Sequence, residues 1–218
     1  GNPLKSSSYN KVFSSLKTVL KQAKNEKYIN SNEAENVQMD KTEIDPRIYL
    51  EREEVKKLVH TDCKYPIVKK AFIFSIYTGL RFGDIEKLKW GDITIKGDKW
   101  ECAIQVQKSK KPFYLSIPSG AIPYMGKKNQ SEDLVFTGLT YKEINFKLKR
   151  WALRSGVTKD ITFHSARHTF AMDEVERGTD TYTLKEMMGH TKIDTTMRYY
   201  HIRNEAVKGA FESKPTYE

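Results

Sequence analysis

A chain of 218 residues can bury one substantial core, or one domain plus a fragment of another. Its 38% hydrophobic and 30% charged content is that of a globular protein in water; no apolar run reaches 18 residues, which excludes a membrane-spanning helix, and Gly1-Asn2-Pro3-Leu4-Lys5 lacks the apolar segment of a signal peptide. Lys and Arg number 38 against 28 Asp and Glu, a net charge of +10, a balance that suits a polyanionic partner such as nucleic acid.

In chain order, residues 9–28 predict an amphipathic helix, with Val12, Phe13, Leu16, Val19, Leu20 and Ala23 at helical spacing after a serine run that can cap it. Residues 28–46 turn polar and read as a linker. One helix cannot bury its own apolar stripe, so residues 1–46 are expected to be the end of another domain, and 47–218 the main domain with a C-terminal tail. Residues 50–60 predict a short charged helix. Pro66 opens an apolar helix that runs to Tyr77 and stops at Thr78-Gly79, with proline and glycine as its punctuation. Another short helix follows over 83–90. Alternation at Ile93/Ile95, at Trp100/Cys102/Ile104/Val106 and at Phe113/Leu115/Ile117 predicts three antiparallel strands. A basic turn, Lys108-Ser109-Lys110-Lys111-Pro112, joins the last two. Residues 121–132 carry little pattern. Helices are predicted over 141–155, 164–177, 181–188 and 194–202. The fold class is therefore mixed α+β, mostly α-helical, with a small three-stranded antiparallel sheet. Cys63 and Cys102 match no paired metal or redox spacing and read as buried free thiols.

Residues 162–202 hold four of the five histidines. On a helix His164, Arg167 and His168 stand at i, i+3 and i+4 and share one face. Two imidazoles and a guanidinium suit an anion: arginine offers a planar fork of donors, and histidine can donate or carry a proton. As a metal pair, His164 and His168 lack the glutamate of a metalloprotease helix and enclose an arginine; no metal and no cofactor is expected. Tyr199 follows His190 by nine residues, close enough for a turn and a helix to bring its phenol to the same place.

Thr78-Gly79-Leu80-Arg81-Phe82-Gly83-Asp84, the Lys108 hairpin, His164-x-x-Arg167, Gly189-His190 and Thr195-Thr196-x-x-Tyr199 occur in the order and approximate spacing of the tyrosine recombinases, the phage integrase family, which the chain resembles over about 48–202. Residues 7–45 also look like the last helix and connector of that family's core-binding domain. Against that pattern the front end is short, as in a truncated chain. The resemblance implies that Tyr199 attacks a DNA phosphate to give a 3′-phosphotyrosyl link. Arg81 and Arg167 would clamp the phosphate and His190 would hydrogen-bond it. His164 would accept or position the tyrosine's proton, Lys108 would protonate the leaving 5′-oxygen, and Asp84 would brace the site. His168 is expected to be structural, and Tyr200 to serve packing or the surface. Lys110, Lys111, Lys147 and Arg150 are expected to touch DNA phosphates, which positions a duplex without reading it.

The implied protein is a cytoplasmic site-specific recombinase of a mobile element, acting on double-stranded recombination sites, monomeric when free and a homo-tetramer on DNA. The alternatives are strand relaxation in the manner of a type IB topoisomerase and a DNA-end-binding protein without catalysis. Asp173 and Glu174 depart from the family's more apolar pattern, and if buried they need partners.

Overall fold

A computed structural model describes residues 6–38, 47–105 and 112–212. The chain divides into two compact units, Gly1–Pro46 and Arg47–Glu218. In the first, α1 (Ser6–Asn25) is followed by a 3-10 turn, Glu33–Asn36. Lys17 Nζ reaches the Val37 carbonyl at 2.6 Å, and Lys24 pairs with Glu35 at 3.3 Å, so the turn folds back on its helix. Of the stripe read from periodicity, Val12, Leu16 and Val19 remain exposed.

The second unit contains α2 (Arg52–His60), α3 (Pro66–Thr78), α4 (Phe82–Lys87), the strands β1 (Ile93–Lys96), β2 (Lys99–Gln105) and β3 (Pro112–Ile117), then α5 (Tyr141–Arg154), α6 (Phe163–Glu176), α7 (Thr181–Met187) and α8 (Asp194–Glu212). The sheet is antiparallel in the order β1-β2-β3. Ile93 pairs with Cys102 and Cys102 with Leu115, so the inward positions of all three strands meet. The mostly helical fold with one small antiparallel sheet is as the sequence predicts.

Helices α3 and α6 pack together through the middle of this unit. Phe72 of α3 meets Phe163 of α6 edge-on at 5.8 Å and Trp151 of α5 at 6.1 Å. The apolar core falls into two clusters, and α6 spans both: Phe163 and Ala166 belong to the larger, Phe170 to Val175 to the smaller, which also holds Tyr199.

Several predicted boundaries move. The helix expected over 83–90 stops at Lys87, because Trp90 N–H donates to Asp133 O (3.0 Å) and Val135 N–H to Leu88 O (2.9 Å), pulling the chain toward the 131–135 loop. Residues 119–124, which overlap the start of the weakly patterned stretch 121–132, form a 3-10 helix around buried Ala121. Helix α8 runs ten residues past the predicted end at 202. Cys102 is buried but Cys63 only partly so. Asp173 and Glu174 are paired: Asp173 with Arg52 (3.3 Å) and Arg177 (2.8 Å), Glu174 with Arg177 (3.3 Å) and the Thr179 hydroxyl (2.8 Å).

Candidate active site

The site is assembled around Arg167. It lies on the first half of α6, which starts where Thr162 N–H donates to Ser165 Oγ (3.1 Å) and Phe163 N–H to Asn145 Oδ1 (2.9 Å). Arg167 is 3% exposed, and a buried guanidinium is tolerated only when its donors are met. One amino group donates to Gly79 O and the other to Met188 O, each at 2.5 Å. These carbonyls belong to two turns far apart in sequence. The first holds Gly79 at φ +68°, where an added Cβ would lie 2.5 Å from the Phe170 ring, so only glycine fits. It delivers Arg81. The second delivers His190. A single side chain thus draws both turns onto α6, with three of its five N–H donors left over.

His190 Nδ1 lies 2.8 Å from the buried Thr196 hydroxyl, which fixes the ring and leaves Nε2 for a ligand. His168 Nδ1 lies 2.9 Å from the Tyr199 hydroxyl. Tyr199 is 1% exposed. Its neighbour Tyr200 donates to the Thr179 carbonyl and is tied away from the site.

Charge in this region is one-sided. Among the described residues no carboxylate forms an ion pair with Arg47, Arg81 or Arg167. Asp84 is the nearby acid, and its carboxylate accepts the Arg81 backbone N–H at 3.3 Å. Burial, then the charge of Arg81, lowers Arg167 to about 10. Burial and then Arg167 push His190 down to about 3; burial and then His164 do the same to His168. Both rings are neutral at pH 7. Burial raises the Tyr199 phenol, against the opposing charges of Arg47 and Arg167. The arrangement is a cationic pocket around a phenol, suited to an anion.

Beside it runs a cleft of about 250 Å³ lined by Arg81, His164 and Arg167 together with Phe82, Tyr141 and Asn145. His164 is exposed there, held below its usual range by lost solvation and by Arg167. His164, expected to accept or position the tyrosine's proton, stacks edge-on against His168 with centroids 4.5 Å apart, and it is His168, expected to be structural, that stands beside the hydroxyl. Spacing alone makes the two equivalent; the way α8 packs on α6 chooses between them. Among the described residues no third His, Cys, Asp or Glu joins them to make a metal site.

Arg47 was missed by sequence reasoning. Its guanidinium carbon lies 4.6 Å from the Tyr199 ring centroid, yet it stands at the end of the polar linker with no motif around it. Lys108, Lys110 and Lys111 lie outside the described residues. Lys147 pairs with Glu143 at 2.6 Å and lies 5.0 Å from the Tyr65 ring centroid. Arg150 is exposed, 5.6 Å from the Phe146 ring.

Residues 49–206 match the phage integrase family. The chain belongs to the phage integrase family. Among curated integrase-family relatives, tyrosine recombinase XerD of Oceanobacillus iheyensis is 30% identical over 181 residues, covering 75% of this chain and 61% of XerD. Tyrosine recombinase XerA of Pyrococcus furiosus is 28% identical over 176 residues, covering 75% of this chain and 60% of XerA. The chain thus spans about three fifths of the length of these relatives. Two solved structures share the fold. A lambda integrase dimer bound to a COC' core site aligns with a TM-score of 0.69 at 19% identity, over 89% of this chain and 73% of that one. The Tn1549 transposon integrase in complex with circular intermediate DNA aligns at 0.70 and 18%, over 90% and 75%.

Proposed function

We propose that this protein is a site-specific DNA recombinase that cuts and rejoins strands through a covalent 3′-phosphotyrosyl intermediate on Tyr199. The observation that carries the reading is the Tyr199 hydroxyl held 2.9 Å from His168 Nδ1 within the combined charge of Arg47, Arg167 and Arg81. In the step, the Tyr199 oxygen bonds to phosphorus as the phosphorus–O5′ bond breaks. The phenolic proton passes to His168 Nδ1, and the 5′-oxygen takes a proton from an acid, the role assigned to Lys108. Arg81, Arg167 and His190 Nε2 hold the non-bridging oxygens, where charge grows in the transition state. His168 in its neutral form has a lone pair to accept the proton, and a bound phosphodiester offsets the arginines that hold its basicity down. His164 lines the same cleft and orients His168. Asp84 holds Arg81 at the head of α4. No energy-rich cofactor enters, because the ester energy is kept in the tyrosyl link.

The substrate in this reading is a duplex recombination site carried by a mobile element, and the working assembly is a tetramer on paired sites formed from free monomers. Residues 1–46 serve as the end of a core-binding domain. Lys110, Lys111 and Arg150 contact the DNA backbone. Sedimentation with and without site DNA tests the assembly.

The deciding experiment uses a duplex nicked near the cleavage point, so that the short strand diffuses away and the adduct accumulates. The protein should form a denaturation-resistant DNA adduct that Tyr199→Phe abolishes and Tyr200→Phe keeps. An adduct retained by Tyr199→Phe would overturn the assignment. Equal relaxation of plasmids with and without the site would favour the topoisomerase reading.

A further inference from the structure

We propose that Arg47 is a positioning residue of this active site, holding the face of the Tyr199 ring and stabilising the phenolate as it forms. This rests on Tyr199 being the nucleophile.

Arg47 is put there by an anchored strap. Residues 47–50 are non-helical, and Leu50, 3% exposed, donates its backbone N–H to Thr169 Oγ1 at 2.9 Å, one residue beyond His168 on α6. Lys159 Nζ donates to the Tyr49 carbonyl (3.1 Å), lies 5.4 Å from the Tyr49 ring, and pairs with Glu54 at 2.6 Å. Tyr49 packs on the cluster that contains Tyr199. Arg47 and Tyr49 are half-buried while Ile48 between them is exposed, and Arg47 lies over the Tyr199 ring. The strap is therefore pinned at two points within three residues of Arg47.

A guanidinium over an aromatic face is attracted to the ring and more strongly to the anion the ring becomes. With Arg47 at 4.6 Å from the centroid and His168 on the hydroxyl, Tyr199 is gripped at its face and at its tip. No described carboxylate competes for Arg47. Its charge also acts on His164, His168, His190 and Arg167, which places it within the same field as every other group of the site. Ionisation of Tyr199 is opposed by burial and favoured first by Arg47.

The test compares Arg47→Gln, Arg47→Lys and, as a strap control, Ile48→Ala. Single-turnover adduct formation on the nicked duplex is followed across pH 6 to pH 10, together with DNA affinity. Arg47→Gln should slow adduct formation about tenfold near neutrality, with the deficit shrinking as pH rises, because solvent base then removes the proton unaided. Arg47→Lys should recover much of the rate, and Ile48→Ala should match the parent. A second readout needs no DNA. With fluorotyrosine incorporated, the ¹⁹F resonance that Tyr199→Phe removes should titrate at higher pH in Arg47→Gln. If the parent forms no adduct, the recombinase reading fails while this titration still judges Arg47. An unchanged titration overturns the proposal. So does an adduct rate in Arg47→Gln that is faster than the parent's, or reduced equally at every pH and shared by Arg47→Lys.

Discussion

Helices α3 and α6 lie against each other and both are buried on most of their surface, yet they bury different things. Helix α3 hides Phe72, Ile73 and Phe74, and its two buried hydroxyls are satisfied locally: Ser75 donates to Leu80 O and Thr78 to Phe74 O, each at 2.8 Å. Helix α6 hides a guanidinium among Ala166, Phe170 and Ala171, and sets neutral His168 beside a buried phenol. Apolar burial needs no partner to be favourable. A buried arginine is costly unless its donors are met, and here they are met by carbonyls from two distant turns. Helix α3 therefore speaks for stability, and α6 for stability and chemistry together.

The largest expected effect isolates chemistry. Tyr199→Phe should lower adduct formation by about 10⁴-fold or more while DNA affinity holds within a few-fold. Next come two variants that set the helices against each other. Arg167→Lys should lose about 2–4 kcal/mol of stability, since one ammonium cannot serve both carbonyls, and about 10²–10³-fold in rate. Phe74→Ala should lose about 3–5 kcal/mol through its cavity and leave the rate per folded molecule unchanged. Denaturant titration and single-turnover kinetics on the same samples separate the two; a rate loss in Phe74→Ala would erase the contrast. His168→Gln should cost about 10²-fold or more in adduct formation, and His164→Gln less. The reverse order would return the proton to His164.

The effect of pH is smaller. His168 and His190 sit at about 3 in the folded chain against 6.5 for an unperturbed imidazole. Between those values the unfolded chain binds more protons, so stability falls as pH is lowered through that window and is unaffected above it. Urea midpoints at pH 7 and pH 5 should differ, and His168→Gln with His190→Gln should shrink the difference; equal midpoints in the parent would contradict the depressed values. Smallest is Arg150→Gln, expected to weaken DNA binding a few-fold and to reduce the salt slope by about 1.

What the sequence revealed follows the range of the interactions responsible. Helices and strands were legible because apolar spacing is local, and the three glycine- or histidine-bearing motifs because each is a short run. The end of the helix at Lys87 was not legible, since a hydrogen bond from Trp90 to residue 133 sets it. Nor was the contact of the Tyr199 hydroxyl with His168 and not His164, since one helix face presents both rings and the packing of α8 sets where the phenol lies. Arg47 had no local signal at all: its place depends on a bond from Leu50 to Thr169, 119 residues away.

The two carbonyls on Arg167 bear on how such a protein can lose its function over generations. A drifting copy that gives up this arginine forfeits its fold along with its chemistry, and is cleared. A copy that exchanges Tyr199 for phenylalanine keeps its core almost intact. Silent descendants should therefore arise by erasing the Tyr199 hydroxyl and keeping the clasp, and a lineage of them would be recognised by an unchanged arginine beside a missing hydroxyl.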